Sequence, residues 1–233
     1  MGLMDYARPS VTTDVVLFRI KKERNDNNRK KDIVELQVLL IKREEEPNKG
    51  DWSLPGGFVN IDEEITENAY RKLREKTGIS GSFYMEQLYT WGDLNRDSRG
   101  RVISVSYLGL CNETTYTCET PLENTVSQWF NVYDVLGGKI GKLAFDHLSI
   151  IQYALNRVKN KLEYTDIALN LLSDEFTISD CQCVYEAILN RQILNFRRKV
   201  SDYVMPLNKL VDNEGRQFRP AELFTRKVKN SKF

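Results

Sequence analysis

The stretch Gly57-x5-Glu63-x7-Arg71-Lys72-Leu73-x-Glu75-Lys76-x-Gly78-Ile79 decides how this chain folds. Its spacing is that of a loop, a helix and a loop. Ile65, Ala69 and Leu73 recur at i, i+4 and i+8 and predict a helix over 63–77 with one buried side. Gly57 lets the preceding strand turn closely into that helix, and Gly78 ends it. Between the glycines, carboxylates four residues apart share one helical face. The run that leads in, Trp52-Ser53-Leu54-Pro55-Gly56-Gly57, cannot itself be helical.

Outward from this motif, 11–20 and 33–43 are rich in Val, Ile and Leu and read as strands, joined by a polar hairpin loop over 21–32. Further strands are predicted over 83–91, 102–111 and 127–132. Strands, an embedded helix and more strands predict an α+β sandwich for about residues 7–140.

The glycines, Arg71 and the aliphatic positions of the opening motif resemble the Nudix box, G-x5-E-x7-R-E-U-x-E-E-x-G-U with U aliphatic. That resemblance implies a Nudix α/β/α sandwich. In active members the carboxylates hold Mg²⁺ against a diphosphate, and water is the nucleophile. This chain departs at the two positions to which the resemblance chiefly assigns the metal, carrying Lys72 and Lys76 instead of Glu; Glu63 and Glu75 remain. A unit charge pair at about 4 Å is worth about 4 kcal/mol at an effective dielectric of about 20, and more for a divalent ion. The expectation is a hydrolase fold that kept its pocket and lost its metal, with no catalytic residue and no cofactor. The alternatives are a solvated helix face with Arg71–Glu75 as an i, i+4 pair, or Lys72 and Lys76, beside Glu75, supplying positive charge to a ligand phosphate directly.

Gly92-Asp93-x2-Arg96-Asp97-Ser98-Arg99-Gly100-Arg101-Val102-Ile103-Ser104-Val105 resembles a segment of ADP-ribose-type Nudix proteins and their regulator relatives, with Ser98 where they carry Pro. Arg96, Arg99 and Arg101 are candidates for a phosphate or ribose clamp, because guanidinium binds oxyanions bidentately. Trp52, Phe58, Tyr89 and Trp91 are candidates to stack a base. Arg8, in Tyr6-Ala7-Arg8-Pro9-Ser10-Val11, joins the candidate effector-binding set through the same resemblance.

After Gly141 the pattern becomes helical. Helices are predicted over 145–162 and 166–172, then from Thr177, whose capping box with Asp180 precedes the inward residues Cys181, Val184, Tyr185 and Ile188. A break at 190–192 is followed by a helix over 193–203, strands over 207–211 and 221–228, and a turn at 212–215 between them. Three helices and a two-stranded hairpin are the order of a winged helix-turn-helix. Two domains follow: 1–143, a Nudix-like sensor, and 144–233, the winged helix.

In Asn195-Phe196-Arg197-Arg198-Lys199-Val200, Phe196 and Val200 turn inward while three basic residues face out. With Arg191, Arg216, Arg219 and Arg226 they form the candidate DNA-binding set. The same run, Arg-Pro-Ala-x-Leu-Phe from Arg219 and Ala144-Phe145-Asp146-His147 resemble Nudix-related transcriptional regulators of the NrtR type. The resemblance implies a homodimer reading a palindromic double-stranded operator, and an effector such as ADP-ribose, another nucleotide sugar or a sugar. It also implies repression of NAD or sugar metabolism. Competing readings are an active hydrolase of ADP-ribose-like nucleoside diphosphates with an appended domain, and an adaptor whose basic tail binds an acidic protein.

Composition is that of an ordinary globular chain, 41% apolar and 29% charged, and excludes collagen-like and wholly disordered classes. The net charge of +1 conceals a division: residues 191–233 hold 11 Lys+Arg and 4 Asp+Glu, a net of +7. The totals of 34 and 33 then leave 23 and 29 for residues 1–190, a net of −6. No apolar run approaches the roughly 18–20 residues of a membrane span, and the first ten residues show no leader-like core, so a cytoplasmic protein is expected. Four cysteines without a CxxC pair and a single histidine, His147, suggest neither disulfides nor zinc, and His147 reads as structural.

Overall fold

In a mixed sheet, strand β1 (Ser10–Glu23) runs parallel to a partner more than 80 residues away, which places the amino-terminal segment at the centre. The structure, a computed structural model, describes residues 6–23, 32–121, 125–211 and 220–227. Strands follow as β2 (Ile33–Lys42), β3 (Trp52–Ser53) and β4 (Gly56–Phe58). Helix α1 (Ile65–Thr77) precedes β5 (Ile79–Gly81), β6 (Tyr84–Trp91), β7 (Val102–Cys111), β8 (Tyr116–Cys118) and β9 (Ser127–Asn131). The main sheet has the order β3-β2-β1-β7-β6, with β4 on β1 and β9 on β2.

Strand periodicity splits the core in two. Val15, Leu17 and Leu39 turn to one face and meet Ala69 and Leu73 of α1. Val16, Phe18, Val38 and Leu40 turn to the other, where α2 (Val132–Leu136) and α3 (His147–Lys161) cover them. Continuous apolar strands buried on both sides are what a three-layer sandwich requires, and the α/β/α arrangement expected from the motif is present.

Beyond α3 come a 3-10 turn (Ile167–Leu171), β10 (Phe176–Thr177), α4 (Ile178–Leu189), α5 (Phe196–Val200), β11 (Val204–Leu210) and β12 (Glu222–Arg226). The capping box at Thr177 and Asp180 is formed. Phe176 and Thr177 add a third strand to the wing, a strand too short to read in the sequence. Helix α5 is shorter than the expected 193–203. Asn195 sits in the left-handed region (φ 55°) and breaks the chain direction before it, and residues 201–203 form a turn.

The two parts share one core: it runs from the sheet through Ile150, Ala154 and Val158 of α3 to Tyr185, Phe196 and Phe224. α3, assigned in sequence to the second part, packs on both. Lys161 bonds Glu86 and Tyr84 of β6, Tyr133 Oη donates to the Ile188 carbonyl, and Lys22 Nζ lies 2.8 Å from Asp180 Oδ1. Cys111 and Cys181 are buried, which pushes both thiols up to about 12. Among the described residues no helix is long and apolar enough to cross a membrane.

Candidate ligand cleft and nucleic-acid interface

The motif loop folds as its glycines dictate. A Cβ on Gly57 would lie 2.9 Å from Lys72 Cε, so its absence lets the Lys72 stem pass over the strand end. Gly78 closes α1 at φ 71° with its N–H on Arg74 O, and a side chain there would strike the Glu119 carbonyl. Glu63 lies just before the helix. Arg71 grips both its oxygens at 2.5 and 2.6 Å and also reaches both oxygens of Glu75 at 3.0 Å. Lys72 Nζ adds a 2.8 Å bond to Glu75. The Arg71 guanidinium holds the Glu63 carboxyl down at about 2. Burial raises Glu75, but its bonds to Lys72 and Arg71 outweigh that and leave its pKa lowered.

These donors do not suit Mg²⁺: each remaining carboxylate is already neutralised by a fixed cation, and Lys72 and Lys76 face the same cleft. Among the described residues, no group of three or more His, Cys, Asp or Glu side chains could hold a metal ion.

The cleft, about 290 Å³, is walled by Gly56–Phe58, Lys72 and Lys76 on one side and by Arg43, Arg96, Arg99 and Phe145 on the other. A roomier cavity of about 610 Å³ lies between Ile20, Val34, Leu172 and Val184. That space is a gap between the two parts, lined by Lys22, Asp32, Glu113 and Asp180 beside its apolar residues, and holds none of the motif residues. Convergent charged groups, not volume, mark a ligand site.

Of the expected effector contacts, Phe58, Lys72, Lys76, Arg96 and Arg99 line the cleft, and Glu75 stands behind Lys72. Arg99 bonds Asp97 at 2.7 and 3.0 Å and lies over the rings of Phe58 and Phe145. Arg96 is buried and forks onto Asp146 at 2.8 and 3.0 Å. Three expectations need correction. Trp52 packs edge-on against Phe130, 4.7 Å between centroids, and is absent from the cleft lining. Arg101 donates to the carbonyls of Gly92 and Asp93 and closes its own hairpin turn. Arg8 precedes β1 and does not line the cleft.

Sequence reasoning missed Asp14, Arg43, Phe145 and Asp146. Asp14 accepts from Ser104 Oγ at 2.5 Å and lies 3.5 Å from both Arg96 and His147. A carboxylate inside the apolar run of β1 was its signal. Arg43 is held at 2.9 Å by the Pro47 carbonyl and lies over the Phe145 ring; burial, then the charge of Arg99, lowers its pKa. Phe145 adopts φ 53°, a left-handed conformation costly for a bulky residue. Asp146 is the N-cap of α3, yet its carboxylate serves Arg96 and makes no cap bond. His147 is buried, as its structural reading required, and its Nδ1 accepts from the Leu54 N–H at 2.9 Å. Burial lowers its pKa.

In the second part, Phe196 and Val200 anchor α5 in the core, so Arg197 and Arg198 project to solvent. Arg191 and Asn195 are also exposed. Lys199 lies 3.3 Å from Glu163 and Arg197 3.8 Å from Glu222. The Arg226 guanidinium bonds Asp166 at 2.9 Å and Asn170 at 3.2 Å and ties the wing to the 3-10 turn. Arg216 and Arg219 lie outside the described residues.

Degenerate motif, three-layer sandwich and appended wing together define a Nudix-fold protein that carries a winged helix-turn-helix. The NUDIX domain model matches residues 24–154, and the NrtR DNA-binding winged helix domain model matches 168–225. The chain is 36% identical to a protein of Acinetobacter baylyi described as an ADPR responsive transcriptional repressor, covering 84% of this chain and 74% of that protein. It superposes on NrtR of Shewanella oneidensis, crystallised with a 27mer DNA, with a TM-score of 0.73, 33% identity and 93% of both chains covered. The Nudix domain of that regulator, crystallised with ADP ribose, matches at TM-score 0.53 and 33% identity, over 68% of this chain and 94% of that domain. This chain belongs to the NrtR family of Nudix-related transcriptional regulators.

Proposed function

We propose that this chain is a transcriptional repressor that holds double-stranded DNA with α5 and the wing and senses ADP-ribose in the Nudix cleft. The observation that carries this is the fate of the motif carboxylates. Arg71 and Lys72 consume Glu63 and Glu75, and Lys72 and Lys76 turn a metal-binding helix face into one that attracts phosphate. The whole-chain likeness to a regulator crystallised with DNA supports the second half. The chain binds the effector and does not hydrolyse it.

In this reading residues 1–143 sense and 144–233 bind DNA, with α3 shared between them. Phe58, Lys72, Lys76, Arg96 and Arg99, joined by Arg43, meet the ligand. Arg191, Asn195, Arg197, Arg198 and Lys199 meet the duplex, joined by Arg216 and Arg219. Two copies joined through their Nudix domains read a palindrome in the cytoplasm, one wing per half-site. Signalling needs a link between cleft and DNA module, and Arg96 supplies it. It faces the ligand and simultaneously grips Asp146, the N-cap of α3. An anion competing for that guanidinium loosens the start of the helix on which the DNA module packs.

A gel shift with upstream DNA tests the reading. Retention should be selective for sequence, weaken with salt and change when ADP-ribose is added. Turnover of ADP-ribose with Mg²⁺ that Glu75→Gln abolishes would establish the hydrolase alternative instead.

A further inference from the structure

Buried polar atoms nearly always find a partner, because leaving one unmade costs the full desolvation of the group. Among the described residues two buried side-chain oxygens have none: Thr12 Oγ1 and Ser53 Oγ. Thr12 is 8% exposed and Ser53 1%. They come from different strands, β1 and β3, with β2 contacting the second, yet both line the same cleft. Neither belongs to the Nudix motif and neither is needed by the sheet, whose ladder runs through backbone groups.

We infer that Thr12 and Ser53 are ligand-binding residues, each donating its hydroxyl hydrogen to a phosphoryl oxygen of the bound diphosphate. Lining charges select that class of ligand. Arg43, Lys72, Lys76, Arg96 and Arg99 outnumber Asp14, Glu45 and Asp97, so the cleft carries a net of +2 and favours an anion. Within it a hydroxyl with no partner of its own has a proton to give to an acceptor that reaches it. Lysine and arginine supply charge, and the two hydroxyls supply direction, which a flexible ammonium cannot. The inference rests on the reading of the cleft as a nucleoside-diphosphate site.

The test exploits a sign. A hydroxyl that serves the fold destabilises the protein when removed, whereas one that serves a ligand is neutral or unfavourable to the unliganded fold. Thr12→Val and Ser53→Ala in the full chain should therefore leave the apo melting temperature unchanged or higher. Each should weaken ADP-ribose and ADP alike by about tenfold in calorimetry, the worth of one hydrogen bond to a charged acceptor. A lower apo melting temperature in both variants, or unchanged affinity for both nucleotides, overturns the inference while leaving the sensor reading intact. So does a loss confined to ADP-ribose, which would put the hydroxyls on the terminal sugar. If the wild-type chain binds neither nucleotide, the sensor reading itself fails.

Discussion

Neutralising Arg197 and Arg198 together is the most direct examination of the DNA interface. The perturbation is clean because packing and charge are separated on α5. Phe196 and Val200 are 3% and 0% exposed and hold the helix, whereas the Arg197 side chain is 75% exposed, with a long contact to Glu222 and its guanidinium 5.8 Å from the centroid of the Phe224 ring. Arg197→Ala plus Arg198→Ala should therefore change folding stability by no more than about 0.5 kcal/mol per site. Binding should respond far more. Each phosphate contact contributes about 0.9 to the slope of log K against log salt, so two contacts contribute about 1.8 per chain. Over the fourfold rise from 50 to 200 mM salt, a wild-type dimer with two such contacts per chain should then lose on the order of a hundredfold more affinity than the variant. Fluorescence anisotropy with a labelled upstream duplex over that range, beside a scrambled duplex, reads both slope and selectivity. If the arginines read base edges instead, the variant keeps its slope and loses selectivity. Identical slope, affinity and selectivity in the two proteins would refute the assignment of α5 as the recognition helix.

Restoring the motif with Lys72→Glu plus Lys76→Glu should create Mg²⁺ affinity measurable by calorimetry, since each charge reversal beside a cation shifts the balance by several kcal/mol at an effective dielectric of about 20. Unchanged Mg²⁺ binding would show that something other than the lysines excludes the ion. Acidification should weaken the fold in two windows. His147 is kept neutral by burial, so the unfolded chain takes up a proton near 6.5 that the folded chain refuses; stability is full above that value and falls as pH drops below it. Denaturant melts at pH 7.5 and 5.5 should differ less in His147→Gln than in wild type. The Glu63 contribution is present above its ordinary 4.5 and is lost as pH falls toward 2, a lower window that Glu63→Gln should flatten. Asp180→Ala should cost about 1 kcal/mol through the lost capping box, against less than about 0.5 for Lys22→Ala, whose half-exposed ion pair is screened. Equal losses in urea melts would show that the bridge between the two parts, not the cap, carries the energy.

The local devices were legible and the long-range ones were not. Gly57, Gly78, the inward face of α1 and the Thr177–Asp180 box belong to contiguous motifs whose spacing sequence displays. The charge network of the cleft joins Asp14 to Arg96 across 82 residues and Arg96 to Asp146 across 50, and no periodicity announces either meeting. Trp52 and Arg101 carry the right chemistry for a ligand, but their type does not reveal that a ring or a turn has already claimed them. Arg226 likewise has a partner that its type does not reveal, Asp166, 60 residues upstream.

That last pairing also changes what the charge division means. Cutting the chain at 190 assigns Glu163, Asp166 and Glu175 to the acidic body, although they pair with Lys199, Arg226 and Lys209 of the tail. Counted over 144–233, the second part holds 14 basic and 11 acidic residues, a net of +3. The totals of 34 and 33 leave 20 and 22 for 1–143, a net of −2. So the electrostatic contrast between the parts is modest. What attracts a phosphate backbone is the local clustering of α5 and the wing rather than a basic domain as such. Removing Lys209 or Arg226, each held by an acidic neighbour, should therefore lower the salt slope by less than removing Arg198 does.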